Sequence, residues 1–207
     1  MRIVKEAEER KNEILDVAGK LFGKKGYDAT STNDILKEIG IARGTLYYHF
    51  KSKEDILDAM IERITNNLVA NASEIAGKKD VPVLQRLTQM MLVLNVNNDL
   101  GHEIKEQIHE PQNALMHQKM QERLLAGITP IATNLIEEGS AQGICQTDYP
   151  AEVAEMALLY SNIVFDDLAG YSGEERLRKI TAFIYNLERL LGMERDSLRA
   201  AILPIFG

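Results

Sequence analysis

The chain has 207 residues, 45% of them hydrophobic and 27% charged, which is the composition of a globular protein long enough to build a substantial core. One cysteine, Cys145, excludes an internal disulfide or a cysteine-rich metal cluster, and the lack of a long apolar run or a signal-peptide core predicts a cytoplasmic location. The net charge of −7 is uneven, because residues 1–55 hold 11 Lys and Arg against 10 Asp and Glu and the remainder carries the acidic excess.

The first predicted helix covers about Val4–Lys25 and ends at Gly26. Its apolar residues recur at helical spacing, which gives the helix one face that can pack against its neighbours. We therefore expect it to supply one side of a small three-helix core. The apolar residues are Ile14, Ala18, Leu21 and Phe22.

Two short helices joined by a tight turn are predicted next. Ser31 and Asp34 have the spacing of a capping box, which marks the start of the second helix. Gly40 stands where the chain must leave that helix sharply, a position that often needs a positive φ. The third helix then covers Ala42–Phe50.

The third predicted helix carries side chains that can bond phosphate groups or base edges. Leu46 and Phe50, four residues apart, form its buried stripe, and Gly44 would let the backbone approach a duplex closely. An ordinary amphipathic helix has no need for the remaining cluster, so the pattern favours a helix-turn-helix whose second helix enters the DNA major groove. The cluster consists of Arg43, Thr45, Tyr47, Tyr48 and His49.

A further helix begins directly after this motif. Ser52 and Asp55 repeat the capping-box spacing. Lys53 would then lie near the positive end of a helix, where its charge and the neighbouring backbone amides both suit a phosphate contact.

From about Ile14 to Met60 the chain resembles the TetR family of transcriptional regulators, most specifically over Gly40–Lys53. The resemblance implies an all-α homodimer that represses transcription until a small molecule binds its larger C-terminal part. The chain would then consist of a helix-turn-helix DNA-binding domain, 1–52, and a helical effector-binding and dimerisation domain, 53–207. The operator contacts that the resemblance implies are Thr32, Arg43, Gly44, Thr45, Tyr47, Tyr48, His49 and Lys53.

Three residues depart from the family pattern. Leu36 and Ile39 stand where the family usually has alanine, which predicts a slightly wider separation of the two short helices. Ala42 replaces a serine, and the loss of such an N-cap costs about 1 kcal/mol. These changes bear on operator affinity and leave the resemblance in place.

The rest of the chain contains further amphipathic helices and no convincing strand, so the predicted fold class is all-α. Pro130 lies inside one of these helices and is expected to kink or interrupt it. The predicted helices cover about Ser52–Ile75, Pro82–Asn95, Gly101–Glu110, Pro111–Gly139, Pro150–Leu168, Glu174–Leu191 and Glu194–Ile202.

The two helices predicted at 150–168 and 174–191 are rich in apolar side chains. Such a pair could complete the core of its own subunit. The family resemblance implies instead that it packs against its copy as a four-helix dimer interface. Dimerisation also has a physical motive, since one recognition helix reads only a few base pairs and a two-fold axis doubles the number.

Polar residues and methionines within the middle helices suggest a pocket for an unknown small-molecule effector. Each methionine is equally well explained as core filler, and several of the polar residues as solvent-facing. If these helices enclose a cavity, the candidate lining residues are Met91, Asn95, His117, Met120, Leu124, Tyr160 and Phe165.

Two other classes of function are weaker alternatives. His102, Glu106 and His109 have the spacing of one helical face and, with Glu110, suggest a metal-assisted hydrolase, but a solvated polar face is a far commoner explanation of so short a pattern. The other alternative is a protein-interaction module that no longer binds DNA. We expect a regulator that is not an enzyme and needs no metal or cofactor, and an incidental rather than redox-sensing thiol at Cys145.

Overall fold

Every regular element that the computed structural model describes is helical, and it describes residues 2–95, 111–164 and 171–199. Those residues contain eight α-helices, one short 3-10 helix and no strand, which confirms the predicted all-α class. The α-helices are α1 (Arg2–Lys25), α2 (Thr32–Ile39), α3 (Arg43–His49), α4 (Lys53–Gly77), α5 (Val83–Asn95), α6 (Ala114–Ala141), α7 (Pro150–Val164) and α8 (Gly173–Leu190), and the 3-10 helix is Pro111–Asn113.

The predicted helix positions agree closely with these bounds. The helix expected near Gly101–Glu110 lies outside the described residues, as do residues 165–168 at the end of the helix expected at Pro150–Leu168 and the end of the one expected at Glu194–Ile202. Of that last helix, the described residues from 195 to 198 form turns and only residue 199 is helical.

The α6 helix passes through Pro130 without a break. Of the kink or interruption predicted there, the interruption is therefore wrong. Proline has no N–H, and the carbonyl of Ala126 therefore lacks its usual helical donor. Ile128 and Ala132 on either side are 1% and 5% exposed, which places this stretch of the helix in the core. Tertiary packing outweighs the lost hydrogen bond, and the helix continues to Ala141.

Two compact units account for the described residues. Those within Met1–Asn66 and Asp99–Met120 form the first unit, and those within Asn67–Asn98 and Gln121–Gly207 form the second. The first unit buries one apolar face from each of α1 to α4. Its most buried residues include Ile14, Phe22, Ile35, Leu46, Ile56 and Leu57, each at most 1% exposed.

The start of α6 belongs to the first unit and is held there by polar contacts. The Lys119 ammonium lies 2.7 Å from Asp58 Oδ1 and 3.3 Å from Glu54 Oε1, and these contacts raise the pKa of Lys119, that with Asp58 most. Asn113, which is fully buried, donates to the Gly23 carbonyl at 3.3 Å. Glu54 and Asp58 are four residues apart on α4, and Lys119 offsets the repulsion between their like charges.

The second unit has a core from α4 to α8 and contains a buried arginine. Arg86 is 1% exposed and donates to the carbonyls of Ala76 (2.7 Å) and Val81 (2.9 Å), next to the end of α4. It also forms two hydrogen bonds with the Glu138 carboxylate, which Lys79 contacts as well. The Arg86 contacts, followed by those of Lys79, lower the pKa of Glu138 to about 2.

Candidate nucleic-acid interface

The first short helix of the motif, α2, is fixed at its start by a complete capping box. The Ser31 hydroxyl accepts the Asp34 N–H at 3.2 Å, and Asp34 Oδ2 accepts the Ser31 N–H at 2.8 Å. The hydroxyl and then the backbone N–H of Ser31 lower the pKa of Asp34. The capping box predicted from the sequence is therefore confirmed.

The turn between α2 and α3 depends on Gly40. Its φ is 75°, in the left-handed region, and its N–H donates to the Leu36 carbonyl at 2.9 Å. A side chain at this position would have open space but a strained backbone. The turn directs the chain into α3 after only two residues, as the sequence predicted.

The two sides of α3 differ sharply in exposure. Leu46 and Phe50 are 1% and 5% exposed and join the core of the first unit, as predicted. Tyr47 and Tyr48 are 41% and 79% exposed. The expected loss of an N-cap is also confirmed, since Ala42 precedes the helix with no side-chain hydrogen bond.

Gly44, within α3, has no packing reason to be glycine. A Cβ built on it meets no atom within 4 Å among the described residues. Glycine inside a helix is less favourable than alanine by about 1 kcal/mol. The residue therefore weakens the helix without a compensating contact in the described part of the molecule, and a close approach of another molecule would account for it.

Five of the predicted DNA-contacting side chains fall into two groups on this surface. The Arg43 guanidinium lies 5.6 Å from the centre of the Tyr47 ring. Thr32, and then Arg43, lower the pKa of Tyr47. Tyr48 and His49 form the second group, with ring centres 5.0 Å apart in an edge-to-face arrangement.

Lys53 belongs to neither group. Its ammonium donates to the carbonyl of Tyr27 at 2.7 Å and lies 4.1 Å from the centre of the Tyr27 ring. Nothing in the spacing of the sequence pointed to this pairing. Thr30, 1% exposed, was missed as well, and its hydroxyl donates to the carbonyls of Gly26 (2.8 Å) and Leu21 (3.2 Å), which ties the end of α1 to the start of α2.

The candidate effector-pocket residues do not share one cavity among the described side chains. Met91 and Leu124 border a cavity of about 80 Å³ in the second unit, together with Ser161 and Asn162. Tyr160 borders a different groove of the same unit. The others are His117 and Met120, which belong to the first unit, and Phe165 and the Asn95 side chain, which lie outside the described residues.

An apolar groove of about 460 Å³ lies between α7 and α8. The rings of Tyr160 and Phe183 stack in it with centres 5.3 Å apart and planes nearly parallel. Met156 and Leu190, which also line it, are 56% and 42% exposed, an unusual exposure for large apolar side chains.

Two sequence families match this chain, one at each of its two parts. Residues 14–60 match the family described as bacterial regulatory proteins, tetR family, and residues 93–185 match the tetracyclin repressor-like C-terminal domain. The chain belongs to the TetR family. The N-terminal helix-turn-helix and the helical C-terminal region of that family are the architecture that the described helices show.

Relatives of known class match a part of this TetR-family chain. An HTH-type transcriptional regulator of Staphylococcus aureus (strain bovine RF122 / ET3-1) is 34% identical over 96 residues, which are 45% of this chain and 52% of that protein. The HTH-type transcriptional regulator AcrR of Shigella flexneri is 41% identical over 63 residues, 30% of this chain and 29% of that protein. The chain thus spans about half, or less, of the length of these relatives.

Solved structures of the same fold match nearly the whole chain. A TetR-family regulator from Pectobacterium atrosepticum has a TM-score of 0.63 at 20% identity, over 92% of this chain and 98% of its own. CprB of S. coelicolor A3(2) has 0.62 at 20% identity, over 97% and 96%. A gamma-butyrolactone receptor has 0.59 at 20% identity, over 97% and 96%. At these identities the likeness establishes the fold alone.

The hydrolase alternative rests on residues that the structure does not describe. His102, Glu106, His109 and Glu110 all lie in the gap between residues 95 and 111. Among the described side chains there is no group of three His, Cys, Asp or Glu residues placed to hold a metal ion. Within the same part of the chain, none of the helices has the length and apolar character needed to cross a membrane.

Proposed function

We propose that this TetR-family chain is a DNA-binding transcriptional repressor that acts as a homodimer in the cytoplasm and is released from its operator by a small molecule. The DNA-binding domain would be 1–52, and 53–207 would bind the effector and dimerise. The proposed operator contacts are Thr32, Arg43, Gly44, Thr45, Tyr47, Tyr48 and His49, whereas the Lys53 ammonium already donates to the Tyr27 carbonyl.

The observation that carries this proposal is the exposed side of α3. A seven-residue helix leaves two adjacent tyrosines on the surface and is anchored from behind by Leu46 and Phe50. Exposed aromatic and basic side chains on a rigid helix can reach phosphate oxygens and base edges, and the rigid support fixes their register along the groove. A side chain that served only the folding of the first unit would not be 79% exposed, as Tyr48 is.

The decisive experiment is a comparison of two tyrosine substitutions. The wild-type protein first selects duplexes from a random-sequence pool, and affinity for the selected duplex is measured by mobility shift at several salt concentrations. Tyr48→Ala should weaken binding by about 10- to 100-fold, the effect of losing one or two good contacts. The matched control is Tyr149→Ala, which removes a tyrosine that is 67% exposed in the second unit and should leave affinity unchanged.

The free energy of unfolding of each variant should lie within about 0.5 kcal/mol of the wild-type value, because both side chains are exposed. Selection of no sequence at any salt concentration would contradict the proposed function. An equal loss of affinity in both variants would instead show that α3 is not the helix that contacts the DNA bases.

We propose the groove between α7 and α8 as the dimer contact. A four-helix interface formed by two copies would cover Met156 and Leu190, whose exposure a single chain does not account for. The alternative, in which this helix pair only completes the core of its own subunit, is less favoured because the apolar groove is exposed.

We propose that the effector binds in the second unit near Met91 and Leu124. The cavity bordered by these residues is about 80 Å³, whereas pockets for small organic ligands are roughly 300–1,000 Å³, so binding there requires the cavity to enlarge. A molecule that binds the enlarged form better would shift the protein toward it. Compounds that raise the melting temperature should also release the selected duplex, and substitutions of Met91 and Leu124 that leave this response unchanged would remove those two residues from the site.

A further inference from the structure

Lys53 makes internal contacts with the corner between α1 and α2. Its Nζ donates to the Tyr27 carbonyl at 2.7 Å and lies 3.5 Å from the Asp28 carbonyl. The same ammonium stands 4.1 Å from the centre of the Tyr27 ring. One residue of α4 thus uses both a charge-assisted hydrogen bond and a cation–π contact on the same partner, two interactions that reinforce each other.

The corner that Lys53 reaches is itself fixed. The Tyr27 ring packs edge-to-face on Phe22, a core residue of α1, with ring centres 5.2 Å apart. The Tyr27 carbonyl also accepts the Thr30 N–H at 3.2 Å, which closes the turn that leads into α2. Lys53 therefore connects the segment that follows the recognition helix to the segment that precedes the motif.

The first turn of α4 is a poor binding site for a phosphate. The Asp55 carboxylate accepts the Lys51 N–H and the Ser52 hydroxyl, both at 2.9 Å, and the Ser52 oxygen accepts the Asp55 N–H at 3.0 Å. Glu54 adds a second carboxylate to the same turn. A phosphate placed there would meet two negative charges, and three of the local donors, the Lys51 and Asp55 N–H groups and the Ser52 hydroxyl, already have an acceptor.

We propose that Lys53 is a positioning residue and not a ligand of a DNA phosphate. It fixes the start of α4, and with it the end of α3, against the corner at Tyr27 and Asp28. Both ends of the helix-turn-helix are then restrained, because the capping box at Ser31 fixes the other. The effect on DNA rests on the proposed function, whereas the Lys53–Tyr27 pairing does not.

The pairing is tested without DNA by a double-mutant cycle in chemical unfolding. Lys53→Met keeps the apolar stem and removes the charge, and Tyr27→Leu removes the ring. We expect Lys53→Met to change the unfolding equilibrium constant at least about threefold more in the wild type than in the Tyr27→Leu background. Lys51→Met is the matched control, since among the described residues the Lys51 ammonium has no hydrogen bond or ion pair, and its effect should be the same in both backgrounds.

The role toward DNA is tested by the salt dependence of affinity for a duplex that the wild type selects from a random pool. A lost phosphate contact lowers the magnitude of the slope of log K against log salt by about 0.9 per contact, hence by about 1.8 per dimer. We expect Lys53→Met to lower affinity about tenfold at an unchanged slope, the loss typical of one charge-assisted hydrogen bond. Tyr27→Leu removes the ring but keeps the backbone carbonyl, so it should also lower affinity at an unchanged slope, and Lys53→Met should lower affinity less in that background than in the wild type.

A slope reduced by about 1.8 in Lys53→Met, or additive effects of the two substitutions on both unfolding and affinity, would overturn the proposal. DNA binding is measured well below the melting temperature of each variant, so that unfolded protein does not lower the measured affinity. If the wild type selects no duplex, the proposed function fails, and the unfolding cycle still decides whether Lys53 and Tyr27 act as a pair.

Discussion

Gly40 and Gly44 are four residues apart and have different reasons to be glycine. Gly40 has a φ of 75° and is needed by the turn of the motif. Gly44 lies in a helix with open space around it. The first is a requirement of folding that can be read from the sequence, because a short helix must end there. The second becomes informative only in the structure, where no neighbour explains it.

These two glycines give a matched pair of substitutions. Gly40→Ala should lower the free energy of unfolding by about 1–2 kcal/mol, because alanine is strained in the left-handed region. Gly44→Ala should leave that free energy unchanged or raise it by up to about 1 kcal/mol, the helix preference of alanine, and still weaken binding to the selected duplex. Chemical unfolding and mobility shift measure the two effects. Full DNA affinity in Gly44→Ala would show that no close approach occurs at this residue.

Single-residue contacts divide into those that the sequence predicts and those that it does not. The Ser31–Asp34 capping box and the buried stripe of Leu46 and Phe50 were predicted, since each joins residues three or four apart. The contact between Lys53 and Tyr27 joins residues 26 apart and depends on how the corner after α1 is folded. Spacing rules carry no information on such a contact.

Among the helices too, local features can be predicted from the sequence and long-range contacts cannot. The bounds of α1 to α5 follow from local caps, glycines and prolines. The continuity of α6 through Pro130 does not, because the burial of Ile128 and Ala132 overrides a local rule. The link between α4, α5 and α6 through Arg86 also escaped prediction, since its partner Glu138 is 52 residues away.

The Arg86–Glu138 contact predicts a dependence of stability on acid. The pKa of Glu138 is lowered from 4.5 to about 2 in the folded chain, so its contribution to stability is present above about 4.5 and is lost as the pH falls towards 2. Glu138→Gln should be less stable than the wild type at neutral pH, because Arg86 keeps a buried charge without its ionic partner. It should then lose less stability than the wild type between those two pH values.

Chemical unfolding at a series of pH values measures this difference. Glu137→Gln, at the exposed neighbouring position, is the control and should retain the acid sensitivity of the wild type. The same acid dependence in Glu138→Gln and in the wild type would show that the contact contributes nothing to it.

For the whole molecule, the dimer contact proposed at the α7–α8 groove predicts how one substitution changes association. Leu190→Glu places a charge in the groove and should convert the dimer to a monomer, because an unpaired charge in an apolar interface is costly. Leu115→Glu is the matched control, since both leucines are 42% exposed and Leu115 lies in the first unit. Sedimentation at several protein concentrations measures the association.

Loss of the dimer should also lower affinity for the selected duplex, because a single recognition helix reads only one half-site. A Leu190→Glu protein that remains dimeric would move the interface elsewhere.

The contacts of Lys119 and Asn113 affect the design of truncated fragments and chimeras of this protein. The helix-turn-helix is supported by a second stretch of chain, in which Lys119 contacts Glu54 and Asp58, 65 and 61 residues before it. A fragment cut after residue 66 would leave those two carboxylates facing each other and the Gly23 carbonyl without its amide donor. Chimeras that exchange DNA specificity between regulators should therefore transplant residues 111–120 along with the N-terminal segment.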